Sequence, residues 1–186
     1  MSNILIVHGA YGGPDEHWIP WIREKLENYG YNIIVPKFPD PQSHDLNSWL
    51  MVFNDYRKYL NENSIIIGHD IGSTFILHVL EGLKDKVKAV FLVSSFTGKP
   101  THEKFKNINL EFTDKEFNWE KIKKSCRRFY LYHGNDDPYI PVENAINLAE
   151  QLDGNLNLIR NGGHLDQNSG YVMFELLLDE IKNELY

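Results

Sequence analysis

Three residues far apart in the chain could carry chemistry together: Asp70, Asp137 and His164. Asp70 sits inside Gly68-His69-Asp70-Ile71-Gly72, after the β-branched run Ile65-Ile66-Ile67 and ahead of a helical apolar pattern at Phe75, Ile76, Val79 and Leu80. Strand, sharp turn and helix form the layout of a nucleophile elbow, whose central residue stands on strained backbone above a parallel sheet. The glycines suit it, because neighbouring strands and the helix come too close for a Cβ. Such a turn normally centres on serine; here it centres on aspartate. An acid and a histidine follow in the chain order nucleophile, acid, histidine. Asp136 and Asp137 both offer the acid, and Asp137, directly before Pro138-Tyr139-Ile140-Pro141, is favoured. It would hold the imidazole of His164 in one tautomer, with the backbone N–H groups of Ala10 and Ile71 as an oxyanion hole. Each piece has a plainer reading, since Asp, Pro and Gly favour ordinary turns. Order, context and spacing together favour the site.

Positioning these residues takes strands that end where they begin. Asn3 to Val7 reads as a buried parallel strand opening into the glycine-rich loop His8 to Pro14. That loop lacks the Lys-Ser/Thr ending of a P-loop and the spacing of a dinucleotide fingerprint, which leaves it suited to an oxyanion. Trp18, Ile22 and Leu26 recur at helical spacing, Tyr31 to Val35 reads as a strand, and Pro36 to Pro41 as loop. Asp45 or Asn47 caps a helix carrying Trp49, Leu50, Phe53, Tyr56 and Leu60. Lys88 to Ser94 and Arg127 to His133 are further strands, separated by a polar, weakly periodic excursion from Ser95 to Ser125, too short for a full cap domain. Pro141 to Leu152 reads as a helix, Asn155 to Arg160 as the last strand, and Tyr171 to Leu185 as an amphipathic helix. Strands alternating with helices predict a three-layer α/β fold, one domain over residues 1–186, with a mostly parallel sheet covered on both faces. In such sheets ligands bind at the carboxyl ends of the strands, where all the glycine-rich turns fall.

Composition narrows the function. The 186-residue chain carries a formal net charge of −7, which argues against nucleic-acid binding. Its densest basic cluster, Lys121, Lys123, Lys124, Arg127 and Arg128, reads as a solvated helix face. The single Cys126 excludes an internal disulfide and suits a reducing compartment. With no basic leader and no apolar run of membrane-spanning length, a cytoplasmic protein is expected. His8, His69 and His133 are expected to pack around the site rather than bind metal, and no metal or cofactor is assigned. His17, His44, His78 and His102 carry no claim, and oligomeric state is not legible.

These residues resemble the small α/β-hydrolases of the retinoblastoma-binding protein 9 family, compact serine hydrolases with little or no cap. The likeness covers nearly the whole chain. It runs through His8 to Gly13, Trp18 to Trp21, Phe38-Pro39-Asp40-Pro41, Ile65 to His69, Asn118 to Lys123, Asp136-Asp137-Pro138 and Gly163-His164. It implies an α/β-hydrolase fold, an esterase-like activity on a small-molecule substrate, Asp137 as the acid and His164 as the histidine. The family's serine position falls on Asp70, so ester hydrolysis is expected to be impaired or altered. A carboxylate attacking an acyl carbonyl gives a mixed anhydride, a poor step, whereas carboxylates do better displacing at saturated carbon. His69-Asp70 also looks like the turn of epoxide hydrolases and some dehalogenases. Ile71 stands where dehalogenases usually have Trp or Arg, and Tyr11 and Tyr139 are conceivable stand-ins for the cap tyrosines of epoxide hydrolases. The alternatives are therefore an Asp-nucleophile hydrolase of epoxides or alkyl halides, a non-catalytic binding module on this fold, or replacement of a native serine. Phe96, Phe105, Phe112 and Trp119 are expected either to wall a small open pocket or to pack the excursion.

Overall fold

The computed structural model describes residues 3–39, 45–108 and 110–185. Six strands form one sheet in the order β2-β1-β3-β4-β5-β6. They are β1 (Asn3–Val7), β2 (Asn32–Ile34), β3 (Ile65–His69), β4 (Val87–Val93), β5 (Cys126–Gly134) and β6 (Asn155–Ile159), and every pairing is parallel. β3, β4 and most of β5 are buried, as their continuous apolar runs require of a sheet covered on both faces.

Two apolar layers cover the sheet. Trp18 just before α1 (Ile19–Asn28), Ile22 and Leu26 within it, and Leu177, Leu178 and Ile181 of the C-terminal helix pack with Ile4, Ile67 and Phe91 on one face. On the other face α2 (Leu46–Tyr56), α3 (Ile71–Glu81), α4 (Trp119–Lys124) and α5 (Val142–Leu152) pack with Leu5, Ile66, Val90 and Leu131. Asp45 caps α2, its carboxylate accepting the Ser48 N–H at 2.8 Å. α3 is buried along almost its whole length, so the helix that follows Asp70 is fixed from every side.

Several boundaries differ from the sequence reading, each for a local reason. The helix of residues 45–60 stops at Tyr56, because Arg57–Tyr59 tighten into a 3-10 turn and Leu60 turns extended. The C-terminal helix, α6 (Glu175–Leu185), begins later than Tyr171, because the chain leaves the 3-10 turn of residues 167–169 through left-handed Gly170 (φ 89°) and stays irregular over residues 171–174. Arg127 and Arg128 lie on β5, so only the three lysines of the basic cluster share the face of α4. The excursion is not a polar segment. Phe96, Phe105, Ile108, Phe112 and Phe117 are buried in it, anchoring short turns singly instead of recurring at a helical period. The loop expected over residues 36–41 is described as far as Pro39; Asp40, Pro41 and His44 lie outside the described residues.

One close approach ties the sheet to the turn at residue 70. A Cβ on Gly72 would stand 2.4 Å from the His8 carbonyl oxygen and 2.5 Å from that of Val7, so the first turn of α3 rests directly on the end of β1. Backbone cannot yield as a flexible side chain can. Gly72→Ala is expected to cost ~2 kcal/mol and to lower the thermal midpoint by roughly 5 °C. A calorimetric scan that leaves the midpoint unmoved would contradict this packing.

Candidate active site

The turns after β1, β3, β5 and β6 meet at the carboxyl edge of the sheet and bring the three expected residues together. Asp70 follows β3 with φ 55° and ψ −129°, a conformation that L-residues with a Cβ seldom adopt. Two backbone hydrogen bonds hold it there. Its N–H is donated to Val93 at 2.9 Å, and its carbonyl accepts the Ser73 N–H at 3.0 Å. A Cβ on Gly68 would come within 2.7 Å of Ser73 backbone, so the glycine before the turn is needed for α3 to double back on β3.

The carboxylate of Asp70 is almost wholly buried, at 3% side-chain exposure. Its Oδ2 accepts the Ala10 N–H at 3.0 Å. Gly9 makes this approach possible, because a Cβ there would lie 2.8 Å from Asp70 Cβ. The glycine-rich loop therefore does present a backbone donor to the site, and the donor is taken by the residue at the turn. Ile71, the other expected donor, is the first residue of α3, where N–H groups have no carbonyl of their own helix to bond.

His164 donates Nδ1–H to Asp137 Oδ2 at 2.8 Å. Asp137 Oδ1 accepts the N–H groups of Tyr139 at 2.9 Å and Ile140 at 3.1 Å, so the turn before Pro141 fixes both carboxylate oxygens. Asp136, the other candidate acid, is exposed and accepts the Gly163 N–H at 2.9 Å; it braces the histidine loop and does not meet the imidazole. With Nδ1 committed, Nε2 is the face turned to Asp70, 3.9 Å from Oδ1. That is too long for a hydrogen bond.

His8, His69 and His133 surround these residues as expected. His8 donates Nδ1–H to the Gly9 carbonyl at 2.9 Å and accepts the Phe38 N–H on Nε2 at 3.0 Å. His133 donates Nε2–H to the Ile140 carbonyl at 3.0 Å. Among the described residues no group of three His, Cys, Asp or Glu side chains is arranged to hold a metal ion. Cys126 starts β5 at the opposite end of the sheet, and burial pushes its thiol up to about 12, which suppresses a thiolate.

A cavity of about 240 Å³ opens over Asp70 and His164, lined further by Tyr11, Glu16, His17 and Asp166. His17 gave no signal in the sequence, because it reaches the site through a left-handed residue (φ 57°) rather than by periodicity. A narrower cavity of about 60 Å³ lies behind Phe105 and Tyr139, whose rings sit 6.1 and 5.1 Å from that of His164. Phe96 also lines it, whereas Phe112 is buried against Trp49 and Trp119 packs on Phe117. Of the four aromatic residues considered, two are walls and two are packing. Larger concavities, such as the one beside Arg57 and Lys84, lie at the opposite end of the sheet.

This sheet, with a sharp left-handed turn before a buried helix and an acid–histidine pair on later loops, is an α/β-hydrolase fold. The serine hydrolase family matches residues 4–183, and the chain belongs to that family. It is 28% identical to YdeN of Bacillus subtilis (strain 168) over 96% of its own length and 93% of that protein. The crystal structure of YdeN superposes with a TM-score of 0.93, covering 99% of this chain and 98% of that one at 26% identity. The serine hydrolase RBBP9 of Rattus norvegicus is 29% identical over 91% of this chain and 90% of its own. Est1E from Butyrivibrio proteoclasticus shares the fold at a TM-score of 0.76 and 18% identity, covering 99% of this chain and 88% of that one. No described helix is long and apolar enough to cross a membrane.

The imidazoles around the site make folding sensitive to acid. Burial lowers His8 and His133 from the usual 6.5, outweighing the hydrogen bonds to Gly9 and Ile140 that favour the charged forms. Above 6.5 both folded and unfolded chains are neutral at these positions and the contribution to stability is complete. As the pH falls the unfolded chain takes up protons that the folded one refuses, and stability drops. The urea midpoint is expected to decline between about pH 7 and about pH 5, before ordinary carboxylates titrate. A midpoint that stays flat across that interval would contradict it.

Proposed function

We propose that this chain is an esterase-like α/β-hydrolase whose acyl chemistry is held off by Asp70 at the position of the nucleophilic serine. Asp137 is the acid, His164 the base, and Ala10 and Ile71 the oxyanion hole of the underlying site. The observation that carries the reading is the Ala10 N–H···Oδ2 hydrogen bond of 3.0 Å. That N–H is the donor an ester's developing oxyanion needs, and a carboxylate already sits on it. An oxygen fixed on that donor keeps the tetrahedral oxyanion from it, and attack by the carboxylate itself leads only to a mixed anhydride. The turn at residue 70 serves as the nucleophile elbow.

Exchange to serine removes both obstacles at once, because a hydroxymethyl group is too short to reach the Ala10 donor. Asp70→Ser is expected to hydrolyse a short-chain activated ester such as p-nitrophenyl acetate at least ~100-fold faster than the present chain. Equal hydrolysis by the unaltered chain and by its Asp70→Ser and Asp70→Ala variants would overturn the reading.

The same hydrogen bond favours a second chemistry. With Oδ2 anchored, the carboxylate is oriented for displacement at the saturated carbon of an alkyl halide or epoxide, leaving an alkyl ester that His164 clears by activating water. In a His164→Gln variant the ester should accumulate, and intact mass spectrometry after incubation with haloalkanes and epoxides reads the adduct on Asp70. Absence of any adduct across such a panel removes this route and leaves a binding module. Either chemistry takes a small-molecule substrate and needs no metal or cofactor. The lone buried Cys126 supports a cytoplasmic setting, and the acidic charge speaks against nucleic acid as a partner.

A further inference from the structure

Every polar atom of His164 except Nε2 is tied to a different part of the fold. Its N–H is donated to Ser169 Oγ at 3.1 Å, and Ser169 Oγ–H in turn is donated to Asp166 at 2.9 Å. Its Nδ1–H goes to Asp137. Its carbonyl is the most heavily used group: His69 Nε2 lies 3.1 Å from it and Ser94 Oγ 2.9 Å. A carbonyl only accepts, so the proton of His69 is on Nε2. One residue along, the Leu165 carbonyl accepts Trp18 Nε1–H at 3.1 Å. The rings of Trp18 and His69 meet edge to face, with centroids 5.9 Å apart. Two neighbouring ring donors thus hold two consecutive carbonyls.

These donors come from elements that have no other reason to serve a loop after β6. His69 ends β3 and immediately precedes Asp70; Ser94 follows β4 on left-handed backbone (φ 47°). Leu165 is itself left-handed (φ 52°), which turns its carbonyl back toward the sheet. His69 is buried, at 2% exposure, where losing a hydrogen bond is costly.

We propose that His69 is a positioning residue of the site, fixing the imidazole of His164 at a set distance from residue 70 through the His164 carbonyl, with Ser94 as its second anchor. Because His69 and residue 70 are adjacent, any displacement of the turn carries the histidine loop with it, and the separation between nucleophile position and Nε2 is held constant. The side chain before the turn thereby acts on the reaction without touching the reacting atoms. A small misplacement of a base is costly in rate, since proton transfer depends on aligned, short contacts.

The inference rests on residue 70 being the position of the nucleophile, and two measurements separate its failure from the failure of that reading. In the Asp70→Ser background, His69→Leu removes the donor, whereas His69→Gln keeps an N–H of similar reach. His69→Leu is expected to lower kcat for p-nitrophenyl acetate at least ~10-fold with KM within about twofold, and His69→Gln to recover most of the loss. Equal impairment by Leu and Gln, or no impairment by Leu, would overturn the proposal. The second measurement uses the native Asp70 chain and needs no activity: the downfield proton resonance of His164 Nδ1–H, bonded to Asp137. It should persist in His69→Gln and broaden or vanish in His69→Leu, and a sharp, unshifted signal in His69→Leu also overturns the proposal. If Asp70→Ser is inactive while the resonance behaves as expected, the esterase reading fails and the positioning role stands. Should His69→Leu not fold, Ser94→Ala withdraws the other anchor of the same carbonyl, and weakening of the same resonance is expected. An unchanged resonance there counts against the proposal.

Discussion

Residue 70 stands on backbone that neither a strand nor a helix supplies, and much of the surrounding chain exists to make that conformation tolerable. Left-handed geometry in a residue with a Cβ costs of order 1–3 kcal/mol and survives only where its neighbours overdetermine it. Here they do. Gly68 lets α3 fold back on β3, Gly72 lets the helix rest on the end of β1, and Gly9 lets the loop close over the side chain. The buried helix behind the turn and the parallel strands on either side supply the burial that offsets the strain.

The same constraint explains how an aspartate is accommodated at residue 70. A carboxylate in a nearly dry site is costly unless hydrogen bonds satisfy it. The glycine-rich loop offers a main-chain N–H at the right place, and the oxygen accepts it. In the proposed site, the N–H that would stabilise a transition state holds a resting side chain instead. Under the function proposed above, the hydrogen bond that suits the folded state is also the one that stands against acyl transfer.

Much of this was legible in the sequence. β3, β4 beyond Lys88 and the Phe129–Tyr132 part of β5 are apolar runs, and glycine flanks the turn at residue 70 because no other residue fits, so strands, turns and chain order could be read directly. Asp137 and His164 were legible for the same reason, each lying beside a turn whose chemistry is local. His17, Ser94 and Ser169 were not. His17 and Ser94 are left-handed residues far in sequence from His164, and Ser169 bonds His164 from an irregular turn five residues on, so none leaves a periodic trace. The excursion of residues 95–125 misled by its polarity, because its buried phenylalanines anchor one turn at a time. The start of the C-terminal helix was misplaced because a left-handed residue, Gly170, ends the preceding turn and delays the helix to Glu175, which apolar periodicity cannot reveal.

The strand order has a consequence in time. The turn after β3 is clasped by the loop after β1 on one side and by the loop after β6 on the other. A chain emerging from the ribosome can therefore build its central strands early, but its histidine arrives only with the last strand. The carbonyl that His69 bonds in the folded chain is among the later parts to be made. The site is complete only once the loop after β6 has met the ends of β3 and β4.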